Sequence, residues 1–123
     1  MKGKRYELLF GQYLSTVAAQ PPHSGQWFNF ADSRGPGYCQ PDHYILRPDE
    51  ILIYENKLTY RRTVWSQLNA LYVPVQEEVF ELPCRIFAVC KYLTELAPLE
   101  RLMTLEDSLK PGGPEIGLIH WLN

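Results

Sequence analysis

The sequence lacks a long apolar run and has few cysteines, and each shortage excludes a class of protein. Its longest apolar runs span only a few residues and contain or adjoin polar groups, so none is long enough to cross a bilayer. The basic start at residues 1–5 is not followed by the apolar stretch of a secretory signal, so we expect a cytoplasmic protein. The 3 cysteines show no CxxC spacing and are typical of reduced thiols. Cys39 and His43 form only part of a zinc site, because no second ligand pair completes it.

Several catalytic motifs are also missing. The chain contains neither the GxxxxGK(S/T) loop that binds nucleotide phosphates nor the GxSxG elbow of serine hydrolases. The spacing of His23, His43 and His120 suggests neither a catalytic triad nor a metal pair. The formal net charge is −2 and the pI is about 5.9, which argues against a protein that covers long stretches of DNA but allows a small footprint.

The hydrophobic pattern predicts a single α/β domain over residues 1–123. With 46% hydrophobic and 21% charged residues, the chain has the composition of one globular domain of ordinary size. Apolar residues from Tyr6 to Val17 recur with helical spacing, and a second helix begins after Thr63 and ends or kinks ahead of Pro74. Apolar runs that alternate or continue without interruption predict strands. The predicted strands cover 26–31, 38–46, 51–58 and 84–92, with a helical segment near 99–109 and a short apolar end after it.

A predicted hairpin brings charged residues together. The segment from Arg47 to Glu50 has turn chemistry, since its proline suits the first corner position and its aspartate the second. If Arg47 faces Glu50, then Asp42 faces Glu55 on the neighbouring strand, with Cβ atoms about 4.5–5.5 Å apart. The alternation of side chains along a strand places Lys57 on the same face as Glu55. The register therefore predicts two carboxylates and one ammonium group in a single patch.

Two facing carboxylates require a positive charge nearby. Like charges opposite each other in a sheet destabilise it unless they are neutralised. A divalent cation neutralises them, and Mg²⁺ prefers hard oxygen ligands together with waters and substrate phosphate. Such a cation activates a bound water and stabilises charge on a phosphate, while a lysine orients that water or neutralises the developing charge. This set of groups indicates phosphodiester hydrolysis.

These residues resemble the motif of the PD-(D/E)xK nuclease superfamily. Pro41-Asp42 near the end of one strand and Glu55-Asn56-Lys57 near the end of the next match that motif, and the predicted order of helix, three strands, helix and strand is similar to the family core. The resemblance implies a restriction-endonuclease-like α/β fold with a central mixed sheet flanked by helices. It also implies Mg²⁺ or Mn²⁺ bound by the two carboxylates and a catalytic role for the lysine.

The resemblance implies further roles outside the motif. Family members often place another acidic metal ligand on the first helix, where this chain has Glu7. Relatives of the RecB and phage type carry a glutamine and a tyrosine in the helix after the lysine, and this chain has Gln67 and Tyr72 there. The family's pair is one helical turn apart, whereas these two do not share a helix face, so only Gln67 is assigned to the site. Arg61 and Arg62 would bind substrate phosphate.

The sequence thus favours a metal-dependent deoxyribonuclease with DNA as its partner. Two alternatives stay open: a catalytically inactive module of the same fold that binds nucleic acid or protein, and an unrelated α+β interaction protein in which Asp42 and Glu55 are unconnected. Small relatives such as junction resolvases act as dimers, because cutting two strands needs two sites. The apolar segment Ile116–Leu122 would therefore serve either a homodimer contact or the core.

Overall fold

The computed structural model of the chain describes residues 2–32, 35–73 and 81–122. These described residues form three α-helices, a short 3₁₀ helix and eight β-strands. In chain order the elements are α1 (Lys2–Val17), β1 (His23–Ser24), β2 (Phe28–Asp32), β3 (Gly35–Cys39), β4 (His43–Leu46), β5 (Ile51–Thr59), α2 (Val64–Val73), β6 (Cys84–Tyr92), the 3₁₀ helix (Leu99–Arg101), β7 (Leu102–Met103), α3 (Leu105–Leu109) and β8 (Ile116–His120).

The main sheet has six strands in the order β1-β4-β5-β6-β8-β7. β1, β4 and β5 pair antiparallel, whereas β5, β6, β8 and β7 pair in parallel. β2 and β3 pair with each other in a separate antiparallel ribbon. The predicted α/β class with a mixed sheet flanked by helices is therefore confirmed. Within the described ranges, no helix combines the length and the apolar character that a membrane crossing requires.

α1 covers one face of the sheet because its apolar residues recur at helical spacing. Tyr6, Phe10 and Leu14 lie one turn apart in succession, and all three are buried. They belong to a core cluster that includes Tyr54 of β5. The Tyr6 hydroxyl donates to the carbonyl oxygen of Trp121 at 2.9 Å, which ties the helix to the chain just beyond β8.

α2 covers the opposite face of the sheet. Val64 and Leu68 lie one turn apart and are buried in a second core cluster, which includes Ile53 of β5 and Ile86 of β6. The helix begins directly after the predicted boundary at residue 63. Pro74, which the sequence predicts to end or kink it, lies outside the described residues.

Two predicted strands differ from those in the structure. The segment 26–31 is not a strand of the main sheet: β2 belongs to the ribbon, and the two-residue β1 takes its place beside β4. The predicted strand 38–46 is divided between β3 and β4. Pro41 explains the break, because proline has no N–H to give to a strand ladder. The N–H of Asp42 is also withdrawn from the ladder, because it donates to the side chain of Glu55.

The apolar end of the chain forms an inner strand of the sheet, with Ile116 and Leu122 exposed on either side of its buried residues. β8 lies between β6 and β7, and its Leu118 and Ile119 are buried. Of the two expected roles, a homodimer contact or core packing, Leu118 and Ile119 fill the second. The helical segment expected near 99–109 consists of the 3₁₀ helix, β7 and α3. The hydroxyl of Thr104 caps α3 by accepting from the N–H of Asp107 at 3.0 Å.

Candidate active site

The hairpin of β4 and β5 has the register that the sequence predicts. Tyr44 pairs with Ile53, and Leu46 pairs with Ile51. The turn is closed by the N–H of Arg47, which donates to the carbonyl oxygen of residue 50 at 2.9 Å. In this register Asp42 and Glu55 are the next facing positions beyond the last strand pair, at the open end of the hairpin.

The carboxylates of Asp42 and Glu55 each accept one hydrogen bond from a backbone N–H across the hairpin. The N–H of Asp42 donates to Oε1 of Glu55 at 2.7 Å. The N–H of Asn56 donates to Oδ2 of Asp42 at 2.9 Å. Each carboxylate therefore accepts from the backbone of the opposite strand, which holds the two acidic side chains side by side. The alternative in which these carboxylates are unconnected disagrees with this arrangement.

The electrostatics of the pair centre on Glu55. Its pKa is raised from 4.5 to about 9, first because burial disfavours the charged form and second because Asp42 carries a like charge beside it. The positive charge of Lys57 acts in the opposite direction, as does the N–H of Asp42. Glu55 therefore holds its proton near neutral pH.

Lys57 lies on the same face of β5 as Glu55 and opens onto a cleft beside α2. The cleft has a volume of about 390 Å³, and three of the predicted site residues line it: Lys57, Arg61 and Gln67. Arg62 is exposed to solvent and lies outside this lining. The complete lining consists of Lys57, Leu58, Thr59, Arg61, Thr63, Val64 and Gln67.

Glu7 lies on the other face of the sheet. Its carboxylate is 3.5 Å from the ammonium nitrogen of Lys4, one turn earlier in α1. Its carbonyl oxygen accepts from His43, which pairs with Tyr54 and so faces α1, whereas Glu55 faces α2. Among residues 2–32, 35–73 and 81–122, no three side chains of His, Cys, Asp or Glu form a group that could hold a metal ion. The structure thus brings together two of the three predicted metal ligands.

His43 and Ser24 form a second polar arrangement that no motif or spacing in the sequence indicates. His43 is buried, and its Nδ1 lies 2.6 Å from the hydroxyl oxygen of Ser24. Its Nε2 lies 3.0 Å from the carbonyl oxygen of Glu7. Burial lowers the pKa of His43, and the neighbouring charges of Asp42 and Glu7 act against that shift. Gly11 within the first helix is a signal that could have indicated a close approach here, because a glycine inside a helix often has a packing reason.

Asn56, between the two acidic positions and the histidine, has a buried side-chain amide. Neither its oxygen nor its nitrogen has a hydrogen-bond partner, although the amide lies close to His43 and acts against the lowering of the pKa of that group. Buried amide atoms without partners are rare in folded proteins and favour the approach of a further polar group.

No protein-family model, no curated protein and no solved structure matches this chain.

Proposed function

We propose that the protein is a metal-dependent nuclease that hydrolyses phosphodiester bonds of DNA at the Asp42–Glu55 pair. The observation that carries the proposal is that the hairpin register holds two carboxylates side by side. Burial and the like charge of Asp42 raise the pKa of Glu55, so a positive charge bound between them would be favourable. A structural pair of acids would more simply be replaced by neutral residues, because like charges opposite each other in a sheet are destabilising. A cation is the neutralising group that also gives the pair a chemical use.

The donors at this place suit a hard divalent cation. Asp42 and Glu55 offer carboxylate oxygens, and the backbone carbonyl of Asn56 would add a third oxygen. Mg²⁺ and Mn²⁺ favour such ligands and commonly keep several waters, so a site with few protein donors is compatible with them. When bound, the cation would lower the pKa of a water and neutralise charge on the phosphate. Glu7, on the other face of the sheet, is not needed for this donor set.

The residues of the cleft beside α2 would bind and orient the substrate. Lys57 is two residues from Glu55 on the same strand face and lines the cleft, so its ammonium group would orient the attacking water or neutralise the developing charge. Arg61 lines the same cleft and offers donors that match a phosphate. Gln67, one turn into α2, also lines this cleft and would donate to the substrate.

The topology of the sheet supports the same proposal. Without the β2–β3 ribbon, the first part of the chain runs α1, β1, β4, β5, α2 and β6, which is the helix, three strands, helix and strand order of the PD-(D/E)xK core. In this arrangement the aspartate precedes the second strand and the glutamate and lysine lie on the third. We therefore propose a restriction-endonuclease-like core, to which β7 and β8 add two further strands.

A cleavage assay tests the proposal. End-labelled single-stranded, duplex and branched DNA would be incubated with Mn²⁺ and the wild-type protein, Glu55→Gln or Lys57→Ala. Lys110→Ala is the matched control, because Lys110 is exposed and its ion pair with Asp107 lies outside the site. We expect cleavage by the wild type and the control and loss of cleavage in both site variants. The preferred DNA would identify the subclass, and gel filtration would show whether the active species is a homodimer.

Calorimetry with Mn²⁺ separates the remaining outcomes. Mn²⁺ binding that Glu55→Gln abolishes, without cleavage of any DNA, would identify the alternative of an inactive binding module on this fold. If the protein neither binds Mn²⁺ nor cleaves any DNA, the proposal is overturned. The Asp42–Glu55 pair would then have a structural role.

A further inference from the structure

We propose that Ser24 is an activated nucleophile, with His43 as its general base, in a second site that takes small carboxylic esters. This site lies on the α1 face of the sheet, whereas Glu55 and Lys57 face α2. It does not depend on the proposed nuclease activity, since it shares neither its reacting atoms nor its cleft with it.

The hydrogen bonds of His43 determine which ring nitrogen carries the proton. The carbonyl oxygen of Glu7, 3.0 Å from Nε2, can only accept, so Nε2 carries the ring proton. In the neutral ring Nδ1 then has a free lone pair, and the Ser24 hydroxyl at 2.6 Å donates to it. The serine oxygen is thereby polarised by a base that is itself oriented by a third group, which is the arrangement of activated serine nucleophiles.

Backbone geometry holds the two side chains in this position. Ser24 of β1 and His43 of β4 are cross-strand partners, so their side chains emerge on the same face of the sheet. The imidazole fits against α1 because residue 11 is a glycine: a Cβ at Gly11 would lie 2.6 Å from Cε1 of His43. Gly11 is therefore a positioning residue, which permits the ring to lie where Nδ1 meets the hydroxyl.

The serine opens onto a cleft of its own. The cleft has a volume of about 390 Å³, which lies within the range of small-molecule sites. Ser24 is exposed at this cleft while residue His43 is only 2% exposed, so substrate reaches the nucleophile and water does not surround the base. Lys4 and Gln12 offer donors for the charge that develops on a carbonyl oxygen. The lining consists of Lys4, Glu7, Leu8, Gly11, Gln12, Ser15, Ser24, Gly25 and His43.

The chemical step is an acyl transfer in two halves. The serine oxygen forms a bond to the ester carbonyl carbon while its proton moves to Nδ1 of His43. The bond to the alcohol then breaks, and the alcohol leaves with that proton. Water attacks the acyl-serine in the same way, giving its proton to Nδ1, and the serine leaves with it. The products are a carboxylic acid and an alcohol, with no oxidant, reductant or cofactor consumed.

A fluorophosphonate probe tests the nucleophile directly. The serine oxygen attacks phosphorus, fluoride leaves, and the stable adduct is located by peptide mass spectrometry. Ser66 serves as an internal control, because it is exposed and its hydroxyl donates to the backbone carbonyl of Thr63 rather than to a histidine. We expect Ser24 of the folded wild type to be labelled at least about 10²-fold faster than Ser66, the usual lower bound for a positioned base. In urea the two rates should become equal.

The role of His43 is tested through Gly11→Ala, which displaces the ring without removing the serine. We expect its labelling rate at Ser24 to fall about 10-fold or more, with circular dichroism and the labelling of Ser66 unchanged. Hydrolysis of p-nitrophenyl acetate should be lost in Ser24→Ala and retained in Glu55→Gln, which separates this site from the nuclease. Equal labelling rates of Ser24 and Ser66 in the folded wild type would overturn the proposal. An unchanged labelling rate of Ser24 in Gly11→Ala would overturn the role of His43 as its general base.

Discussion

Replacing Glu55 with glutamine should stabilise the protein at neutral pH when no divalent metal is present. Burial and the charge of Asp42 raise the pKa of Glu55 from 4.5 to about 9. Between these two pH values the folded protein retains a proton that the unfolded chain has lost. The free energy of unfolding of the wild type therefore falls as the pH rises through this range, and it levels off above the folded pKa of about 9.

The size of this effect on the free energy of unfolding is about 1.36 kcal/mol for each pH unit above the pKa of Glu55 in the unfolded chain. At pH 7, retention of the proton costs up to about 3 kcal/mol relative to the unfolded state. The Oε1 of glutamine still accepts from the N–H of Asp42, but its amide nitrogen needs a partner in a buried place, which costs about 1 kcal/mol. We expect a net gain of about 2 kcal/mol, equivalent to roughly 8 °C in Tm.

The assay is urea unfolding followed by circular dichroism, from about pH 5 to about pH 9, where Glu55 is ionised in the unfolded chain and protonated in the folded protein. Glu106→Gln is the matched control, because Glu106 is exposed on α3. The slope of stability against pH should be shallower in Glu55→Gln than in the control. Mn²⁺ should raise the unfolding midpoint of the wild type and not that of Glu55→Gln. A variant that is less stable than the wild type at pH 7, with the same slope, would refute the argument that Glu55 retains its proton.

Three further predictions concern catalysis and stability. Lys57→Ala should lower the rate of DNA cleavage by about 10²–10⁴-fold while calorimetry still detects Mn²⁺, and a similar loss in Lys110→Ala would contradict that role. Glu50→Gln should lower the free energy of unfolding by about 3–5 kcal/mol, because it leaves the buried Arg85 without its carboxylate at 2.8 Å. Arg85 lowers the pKa of Glu50 below its ordinary 4.5, so the stabilisation is present above pH 4.5 and is lost as the pH falls through the folded pKa. The free energies of unfolding of the wild type and Glu50→Gln should therefore converge in acid. Parallel curves of stability against pH would argue against this ion pair. Leu118→Ala should cost about 2–5 kcal/mol in urea unfolding, and a cost under about 1 kcal/mol would contradict the fully buried position of this side chain.

The hairpin was predictable because local chemistry determines its register. A proline and an aspartate occupy the corner positions between Arg47 and Glu50, and the strands on both sides are apolar. Once the turn is assigned, the pairing of Asp42 with Glu55 follows from counting residues along two strands. The helices were predictable for a similar reason, since Tyr6, Phe10 and the residues after them repeat with helical spacing.

The remaining parts depend on contacts between distant residues. The strand 38–46 carries the expected alternation, but Pro41 interrupts the ladder at a point that composition alone does not reveal. A short apolar run such as β8 is compatible with a strand, a helix end or a surface contact, and only its parallel pairing with β6 decides between them. The contact of Ser24 with His43 joins residues 19 positions apart, and that of His43 with Glu7 joins residues 36 positions apart, so neither has a sequence motif.

The place of β8 in the sheet has a consequence for synthesis on the ribosome. β6 is translated before β8, and until β8 arrives one edge of β6 presents unpaired N–H and C=O groups. Residues 93–115 separate the two strands, and about 23 residues at roughly 5–20 per second take on the order of one to five seconds. Most of Cys84–Tyr92 is buried in the finished fold, so the waiting strand is apolar and able to pair with another chain. Rapid expression, which raises the number of chains in this interval, should therefore favour aggregation through β6.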